Sequence, residues 1–404
     1  MSSQTNPRQV CRRRVFYIPG YDPFPPRRYR ELYRTEASEQ AKVSGYDIAV
    51  SAKSGDGPFG WRVVSHQDGT HIQTDVEVLV WSDIVRDSMS GSIPATYLQL
   101  ARTAWAYIST GTLQRLMRLR KGPVIAALYP VGMLLVQLMM AMAVAAAGIA
   151  LLWPSTGWLG LLPALVVAYA LLRWFRKIDN RLFAYYLMHD YAYSAQLLGE
   201  TSVELQARLD SFGKLIRQAL DTDVDEVLVV GHSSGAHLGV SVLADVIRAQ
   251  GMAEHGPVLS FLTLGQVVPM VSFLPKADQL RADLQFLSTQ QRISWVDVSA
   301  PGDGCAFALC DPVAVSGVAG PEKRWPLVLS AAFTQTLSPK RWQELRWRFF
   351  RLHFQYLCAF DQPGQYDYFR ITAGPQTLGH RFQGSAPSKT RIEKAVSKFT
   401  SVHA

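Results

Sequence analysis

The chain has 404 residues, of which 48% are hydrophobic and 18% charged, and its 41 basic and 32 acidic side chains give a formal charge of +9. At roughly 150 residues per domain, this length suits two or three domains or one large α/β domain with insertions, and the apolar fraction excludes a disordered chain. The four cysteines are too scattered for a disulfide scaffold and lack the C-x-x-C spacing of a zinc site, so we expect reduced thiols and no metal: Cys11, Cys305, Cys310 and Cys358.

Two short strands are predicted in the first part of the chain. Residues 14–18 form an apolar run that stops at Pro19 and Gly20, which is typical of a strand entering a turn. Residues 76–81 predict a second strand. The first seven residues contain no apolar region of the secretory type, so we expect no signal peptide.

A long uncharged stretch follows. Residues 122–172 are 51 consecutive positions without Asp, Glu, Lys, Arg or His. Helix-breaking and interfacial residues divide the stretch near its middle: Trp153, Pro154, Gly157 and Trp158. Because a membrane span needs about 20 apolar residues, the pattern predicts a transmembrane hairpin with spans at 123–153 and 158–175.

Basic residues flank both ends of this stretch, and positive charge stays on the cytoplasmic side of a membrane. We therefore expect two spans in the inner membrane, with both termini and the soluble part in the cytoplasm. These side chains can meet anionic lipid head groups, and their clustering weakens the case for a nucleic-acid partner. They are Arg115, Arg118, Arg120, Lys121, Arg173, Arg176 and Lys177.

Strands and helices alternate after the hairpin. The pattern predicts helices at 202–220 and 236–247 and strands at 227–230, 258–264, 293–299 and 366–372. Such alternation indicates an α/β fold with a mostly parallel sheet and helices on both faces. Since strands lie on both sides of the hairpin, we expect one α/β domain split by it. The segments are 1–121, the hairpin 122–175, the catalytic part 176–385, and a loose or amphipathic basic tail at 386–404.

The sharpest motif is Gly231-His232-Ser233-Ser234-Gly235, a G-x-S-x-G pattern. The predicted strand before it and helix after it are the context that a nucleophile elbow needs. In that geometry the Ser233 hydroxyl is presented to a substrate carbonyl, and the backbone N–H of Ser234 can donate to the oxyanion. The glycines allow neighbouring chain to approach closely. A loop serine that caps the helix is the alternative.

With this motif the sequence resembles the α/β-hydrolase superfamily, in particular its lipase-like and esterase-like members. The resemblance implies a second oxyanion donor in the loop after an early strand, which we assign to the backbone N–H of Tyr21. Pro19 stands there where the family usually has histidine, so an ordinary Pro-Gly turn is the alternative. The resemblance also implies that the serine, the acid and the histidine follow one another in this order along the chain, and that no metal or organic cofactor is needed.

Two carboxylates fit the position of the acid. Asp303 lies in a glycine-flanked loop directly after the predicted strand 293–299, where an acid could orient an imidazole. Asp311, in a Cys-Asp-Pro-Val context that some lipases share, is the rival. Asp297 lies within the strand and is the weaker choice, and Asp303 as a mere turn former is the alternative.

Two histidines fit the position of the base. His353 precedes Tyr356 in a His-x-x-Tyr pattern found around the base in some lipase families. His380 follows the predicted strand 366–372, where the superfamily in general places its base. We favour His353, and either could instead be a structural histidine.

These features predict a membrane-anchored serine hydrolase that cleaves carboxylic esters of lipid-like or other acyl substrates through Ser233, Asp303 and His353. The expected partners are the lipid bilayer and an acyl ester, without nucleic acid. The apolar residues 267–275 could line an acyl pocket, form a lid or belong to the core. The alternative from another class is a membrane scaffold that keeps the fold without activity. A transporter is disfavoured because the apolar stretch contains no charge.

Overall fold

A computed structural model describes residues 9–53, 55, 57–89, 91–250 and 256–403 of the chain. Residues 1–8, on which the expected absence of a signal peptide rests, lie outside the described residues. The strands are β1 Arg12–Ile18, β2 Asp47–Ala52, β3 Gly60–Gln67, β4 Thr70–Val78, β5 Glu226–His232, β6 Val258–Leu264, β7 Ile293–Ser299 and β8 Leu327–Ser330.

Helices separate and follow these strands. In chain order they are α1 Arg27–Ser44, α2 Ser82–Ser88, α3 Ile93–Ser109, α4 Thr112–Leu116, α5 Lys121–Thr156, α6 Leu161–Lys177, α7 Asp179–Leu182, α8 Ala184–Ala195, α9 Val203–Leu220, α10 Gly235–Gln250, α11 Val268–Ser272, α12 Asp278–Thr289, α13 Pro312–Val315, α14 Phe333–Thr336, α15 Pro339–Leu345, α16 Phe349–His353, α17 Tyr368–Ala373 and α18 Leu378–Arg381. Short 3₁₀ turns span Gly157–Gly160 and Gln355–Leu357.

The strands form one eight-stranded sheet in the order β2-β3-β4-β1-β5-β6-β7-β8. All pairings from β4 to β8 are parallel, whereas β2 and β3 are antiparallel to their neighbours. The predicted α/β class with a mostly parallel sheet is therefore confirmed. Strands β1–β4 precede the apolar helices and β5–β8 follow them, so the sheet is built from both sides of that segment.

Each face of the sheet carries its own apolar core. Side chains alternate along β5, so that Val227 and Val229 join the core with α9, α10 and α12, whereas Leu228 and Val230 join the core with α1 and α17. This alternation follows from the two-residue period of a strand, and burial on both faces explains why β5 is apolar at consecutive positions.

The apolar helical segment Lys121–Lys177 is, among the described residues, long and apolar enough to cross a membrane. Only 17% of its most apolar window is buried, whereas a core helix of a soluble protein is mostly buried. By this measure it counts as one apolar segment, and its division into two spans stays a prediction. Helix α5 continues through Pro154 to Thr156, so the helix break expected at Pro154 is wrong. The helix is capped by Gly157, the last residue of the expected turn 154–157, whose φ is 55°.

Two predictions for the end of the chain were wrong. The expected strand at 366–372 is helix α17, because Asp367 accepts hydrogen bonds from the Phe369 and Arg370 amides and caps a helix. The tail is not loose but docked: the Ile392 amide donates to the Leu309 carbonyl at 2.7 Å and the Val396 amide to Val315 at 3.1 Å.

Candidate functional site

Ser233 lies between the end of the central strand β5 and the start of α10. Its φ is 56°, a left-handed conformation that costs a non-glycine residue about 1–3 kcal/mol and that is concentrated at functional sites. The Ser233 amide donates to the Leu264 carbonyl at 2.9 Å, which fixes this strained residue to the end of β6. The turn therefore has the strand–turn–helix form predicted from the motif.

Close backbone contacts explain the glycines around Ser233. A Cβ on Gly231 would lie 2.6 Å from the Gly235 carbonyl oxygen, and a Cβ on Gly235 would overlap the Ile18 carbonyl oxygen. A Cβ on Gly20 would lie 2.9 Å from the Ser233 Cβ. The loop after β1 thus lies directly against the serine.

Tyr21 and Ser234 line the cavity in front of Ser233, and neither backbone N–H has a hydrogen-bond acceptor among the described residues. The loop that carries Tyr21 is held on both sides: the Trp81 indole donates to the Pro19 carbonyl at 2.9 Å, and the Tyr186 hydroxyl donates to the Tyr21 carbonyl. Two free, fixed donors beside a serine can bind a developing oxyanion.

Asp303 lies in the loop after β7, at the same edge of the sheet as Ser233. Its Oδ2 accepts from His353 Nδ1 at 2.8 Å and from the Tyr356 hydroxyl at 3.0 Å, and its Oδ1 accepts from the Cys305 amide at 2.9 Å. Burial alone would raise the pKa of Asp303, but the charge on His353 and these hydrogen bonds outweigh burial and hold that pKa below its usual value. The group is an ionised, fully hydrogen-bonded carboxylate.

His353 ends α16 and is 6% exposed, in the wall of the cavity that Ser233 also lines. The Tyr356 hydroxyl, which accepts from the Ala300 amide at 3.0 Å, binds the same carboxylate oxygen as the imidazole. The His-x-x-Tyr spacing therefore brings both side chains to Asp303. Among the described residues neither His353 Nε2 nor any other group forms a hydrogen bond with the Ser233 hydroxyl.

His232 is a site residue that the sequence analysis missed. Its Nε2 donates to the His353 carbonyl at 3.0 Å, and the two rings lie 4.8 Å apart. Burial, with a smaller effect from the charge on His353, lowers the pKa of His232 to about 3, so the ring stays neutral. The only sequence signal was its position as the last residue of the strand, beside the nucleophile.

The rival residues lie elsewhere. His380 is in α18, where the Leu378 amide donates to Glu226 and Gly379 packs against Ser294. Both contacts are at the starts of β5 and β7, whereas Ser233 follows the end of β5. At 3.3 Å per residue, the start and the end of β5 are about 20 Å apart. His380 is therefore at the opposite edge of the sheet.

The two alternative acids have structural partners. Asp311 caps α13 by accepting from the Val313 and Ala314 amides at 3.0 Å and forms an ion pair with Lys323 at 2.5 Å. Asp297, inside β7, accepts from the Thr263 hydroxyl at 2.5 Å, and burial raises its pKa to about 7. Neither carboxylate contacts His353.

The cavity in front of Ser233 has a volume of about 80 Å³. Val267 and Met270 reach its wall, whereas the rest of the apolar run 267–275 is largely buried around α11, so that run serves both the core and the cavity. Asp190 of α8 also lines the cavity, and burial raises its pKa to about 7.

One group among the described residues has the spacing of a metal site: the ligand atoms of Asp303, Cys305 and His353 lie within 4.8 Å of one another. Metal binding needs a thiolate, and burial raises the pKa of Cys305 well above its usual value. The Asp303 oxygens are already engaged in hydrogen bonds. This donor set suits a hydrogen-bonded acid–base pair better than a metal.

Comparison of the chain with protein-family models, with curated proteins and with solved structures gives no match.

Proposed function

We propose that the chain is a serine hydrolase of the α/β-hydrolase type, anchored in a membrane, that cleaves carboxylic esters by a Ser-His-Asp mechanism. The observation that carries the proposal is the hydrogen-bonded pair of Asp303 and His353 in the wall of the cavity that holds Ser233 at a strained turn. A histidine oriented by a buried carboxylate beside a serine is the arrangement that activates a hydroxyl nucleophile.

In this mechanism the Ser233 hydroxyl first approaches His353 Nε2 to hydrogen-bond distance. Its oxygen attacks the ester carbonyl while its proton moves to Nε2, and Asp303 stabilises the imidazolium through Nδ1–H. The Nε2 proton then passes to the alcohol oxygen as the ester C–O bond breaks. Water, deprotonated by the same imidazole, hydrolyses the acyl-enzyme.

The N–H groups of Tyr21 and Ser234 bind the oxyanion that forms when the carbonyl is attacked. Each such donor contributes about 3 kcal/mol to the transition state when it is fixed before the reaction. Both lie beside Ser233 without another acceptor among the described residues, and α10 begins at the next residue, so its positive N-terminal end favours negative charge here.

The apolar segment supports the anchoring part of the proposal, with α5 and α6 as two antiparallel spans. A Cβ on Gly148 would lie 3.3 Å from the Ala164 Cβ, and small side chains join the two helices further along. The predicted start of the first span at 123 lies too early, because α5 packs against α8 at Leu134 and Gln137 is still buried. Residues 138–156 remain for a span, 19 residues or about 28 Å at 1.5 Å each. The 17 residues of α6 reach about 26 Å, and a hydrocarbon core is about 30 Å thick. The last five of these residues include the basic flank Arg173, Arg176 and Lys177, which belongs at the head-group level.

A fluorophosphonate probe tests the proposal directly, because it forms a covalent bond only with an activated serine. We expect the full chain in membranes to be labelled and to hydrolyse p-nitrophenyl butyrate, and Ser233→Ala to do neither. The matched control is Ser211→Ala on α9, a partly exposed serine outside the cavity. If wild type is not labelled and does not hydrolyse esters, the inactive-scaffold alternative replaces the enzyme.

A further inference from the structure

A second, larger cavity adjoins the one at Ser233. We call it the arginine groove, and it is bounded by α1, α7, α15 and α16. Its volume is about 910 Å³, against about 80 Å³ for the cavity at Ser233, and the two share Asp22, Tyr186, Phe350 and Phe354. Ligand sites usually measure about 300–1,000 Å³, so the body of a substrate fits the groove but not the small cavity.

Aromatic rings form the inner wall of the groove. Phe183 and Phe350 lie with ring centroids 4.8 Å apart, and Tyr186 packs edge-on against Phe350 at 6.0 Å. Phe350 is also in the wall of the cavity at Ser233, so this apolar surface continues to the nucleophile. Such a wall suits a hydrocarbon chain.

Three exposed arginines line the same groove: Arg28, Arg348 and Arg351. None of them forms an ion pair with a carboxylate in the described part of the chain. The Arg28 guanidinium lies over the rings of Phe24 and Phe354 at 4.2 and 5.6 Å, which orients it without neutralising it. Cations next to an apolar wall fit a ligand with an anionic group.

Most acids of the groove are already engaged. Asp22 accepts from the Tyr29 hydroxyl at 2.7 Å, and Asp179 accepts from the Tyr185 and Tyr186 amides at 3.0 Å. On α1, Glu31 forms ion pairs with Arg30 and Arg34. Arg341 of α15 forms ion pairs with Asp361 and with Glu36 of α1. Asp22 and Asp179 keep their charges, but Asp22 is buried and Asp179 half-buried, whereas the three arginines are exposed. Glu344 is the one exposed acid of the groove that has neither a hydrogen bond nor an ion pair among the described residues.

The groove opens beside the end of the apolar segment. Asp179, Asn180 and Phe183 are in its wall, and Asp179 is two residues beyond the last residue of α6. At the other end of the segment, Pro123 in the first turn of α5 lines the cavity at Ser233. Both ends of the apolar segment thus border the path from the groove to the nucleophile.

We propose that the arginine groove binds a bilayer lipid with one acyl ester and an anionic head group. The aromatic wall holds the acyl chain, the three arginines hold the anionic group, and the ester carbonyl reaches Ser233. This inference rests on the proposed function, whose reaction it leaves unchanged, and it adds the class of substrate.

The test compares two lipids that share an oleoyl chain, lysophosphatidylglycerol, which is anionic, and lysophosphatidylcholine, which is zwitterionic. With the full chain in nanodiscs of neutral lipid, we expect kcat/KM to favour the anionic lipid about tenfold. The double variant Arg348→Gln, Arg351→Gln reduces this preference to about twofold or less. The matched control Lys214→Gln, Arg217→Gln removes two charges from α9, outside the groove, and keeps the preference.

A binding measurement separates this inference from the proposed function. Ser233→Ala protein in a nonionic detergent should bind fluorescent lysophosphatidylglycerol about tenfold more tightly than the choline lipid, and the double variant should lose that difference. Selective binding without hydrolysis of any ester by wild type would reject the hydrolase and keep the groove. Hydrolysis of p-nitrophenyl butyrate with no anionic preference, or with a preference that survives the double variant, would overturn the inference. A preference seen equally for a water-soluble anionic ester would reject the bilayer as the source.

Discussion

The substitution Asp303→Asn tests the role of the carboxylate with almost no change in shape. Oδ1 of Asp303 accepts from the Cys305 amide at 2.9 Å, so the oxygen of an asparagine would keep that position. Its NH₂ group would then replace Oδ2 and face His353 Nδ1. Because an amide NH₂ only donates, Nδ1 must accept, and the imidazole proton moves to Nε2.

That tautomer presents a proton, not a lone pair, to Ser233, so the histidine can no longer act as a base. The variant also loses the negative charge that stabilises the imidazolium. Together these effects cost about 10³–10⁴ in kcat, which corresponds to about 4–5.5 kcal/mol of the barrier. The hydrogen bond from Tyr356 to the same oxygen would be lost too, so a small fall in thermal stability is also expected.

The measurement is kcat for p-nitrophenyl butyrate, together with the rate of fluorophosphonate labelling and a thermal melt. The matched control is Asp311→Asn, which also changes a buried carboxylate to an amide but alters a helix cap and the ion pair with Lys323. We expect that control to lower the melting temperature and to keep activity within about twofold. If Asp303→Asn retains a tenth of the wild-type rate, the Asp303–His353 pair is not catalytic.

Three further outcomes are expected. His232→Phe keeps a ring but leaves the His353 carbonyl without its hydrogen-bond donor. An unpaired buried carbonyl costs about 1–3 kcal/mol, so kcat/KM should fall about tenfold. An unchanged rate with a normal melt would reject this positioning role. Burial raises the pKa of Asp190 from 3.8 to about 7, so the stability that the protonated side chain contributes is lost as pH rises from 3.8 to about 7. The melting temperature of the wild type should therefore fall more between pH 5 and 8 than that of Asp190→Asn. Equal pH slopes in wild type and variant would contradict the assignment. In sealed inside-out vesicles an impermeant maleimide should label Cys11 but not a cysteine introduced by Thr156→Cys; labelling of both would exclude two spans.

Local patterns were enough to predict the strand–turn–helix around Ser233 and the class of the fold. The strand at 227–230 is apolar at every position because it is buried on both faces, and Gly231 and Gly235 are placed where only a hydrogen fits. The position of Asp303 directly after a predicted strand also placed it at the correct edge of the sheet, since parallel strands end together.

The sequence favoured His353 but could not settle the choice between the two histidines, because that choice depends on which edge of the sheet each one reaches. The case for His380 assumed that residues 366–372 form the last strand, and a strand there would have carried the chain to the edge with Ser233. The Asp367 cap makes that segment a helix instead, and His380 follows at the starts of the strands. Likewise, the docking of the tail depends on backbone hydrogen bonds to distant residues, which leave no periodic pattern in the sequence.

The first turn of α5 links the apolar segment to the loop that carries Asp303. The Arg120 guanidinium, at the start of that helix, donates to the Ala308 carbonyl at 2.8 Å, and a Cβ on Gly122 would lie 3.3 Å from the Gly304 Cα. Gly304 follows Asp303, so α5 begins against the loop that orients the imidazole. In the proposed enzyme, the start of the anchoring segment is therefore in direct contact with the loop that carries the acid.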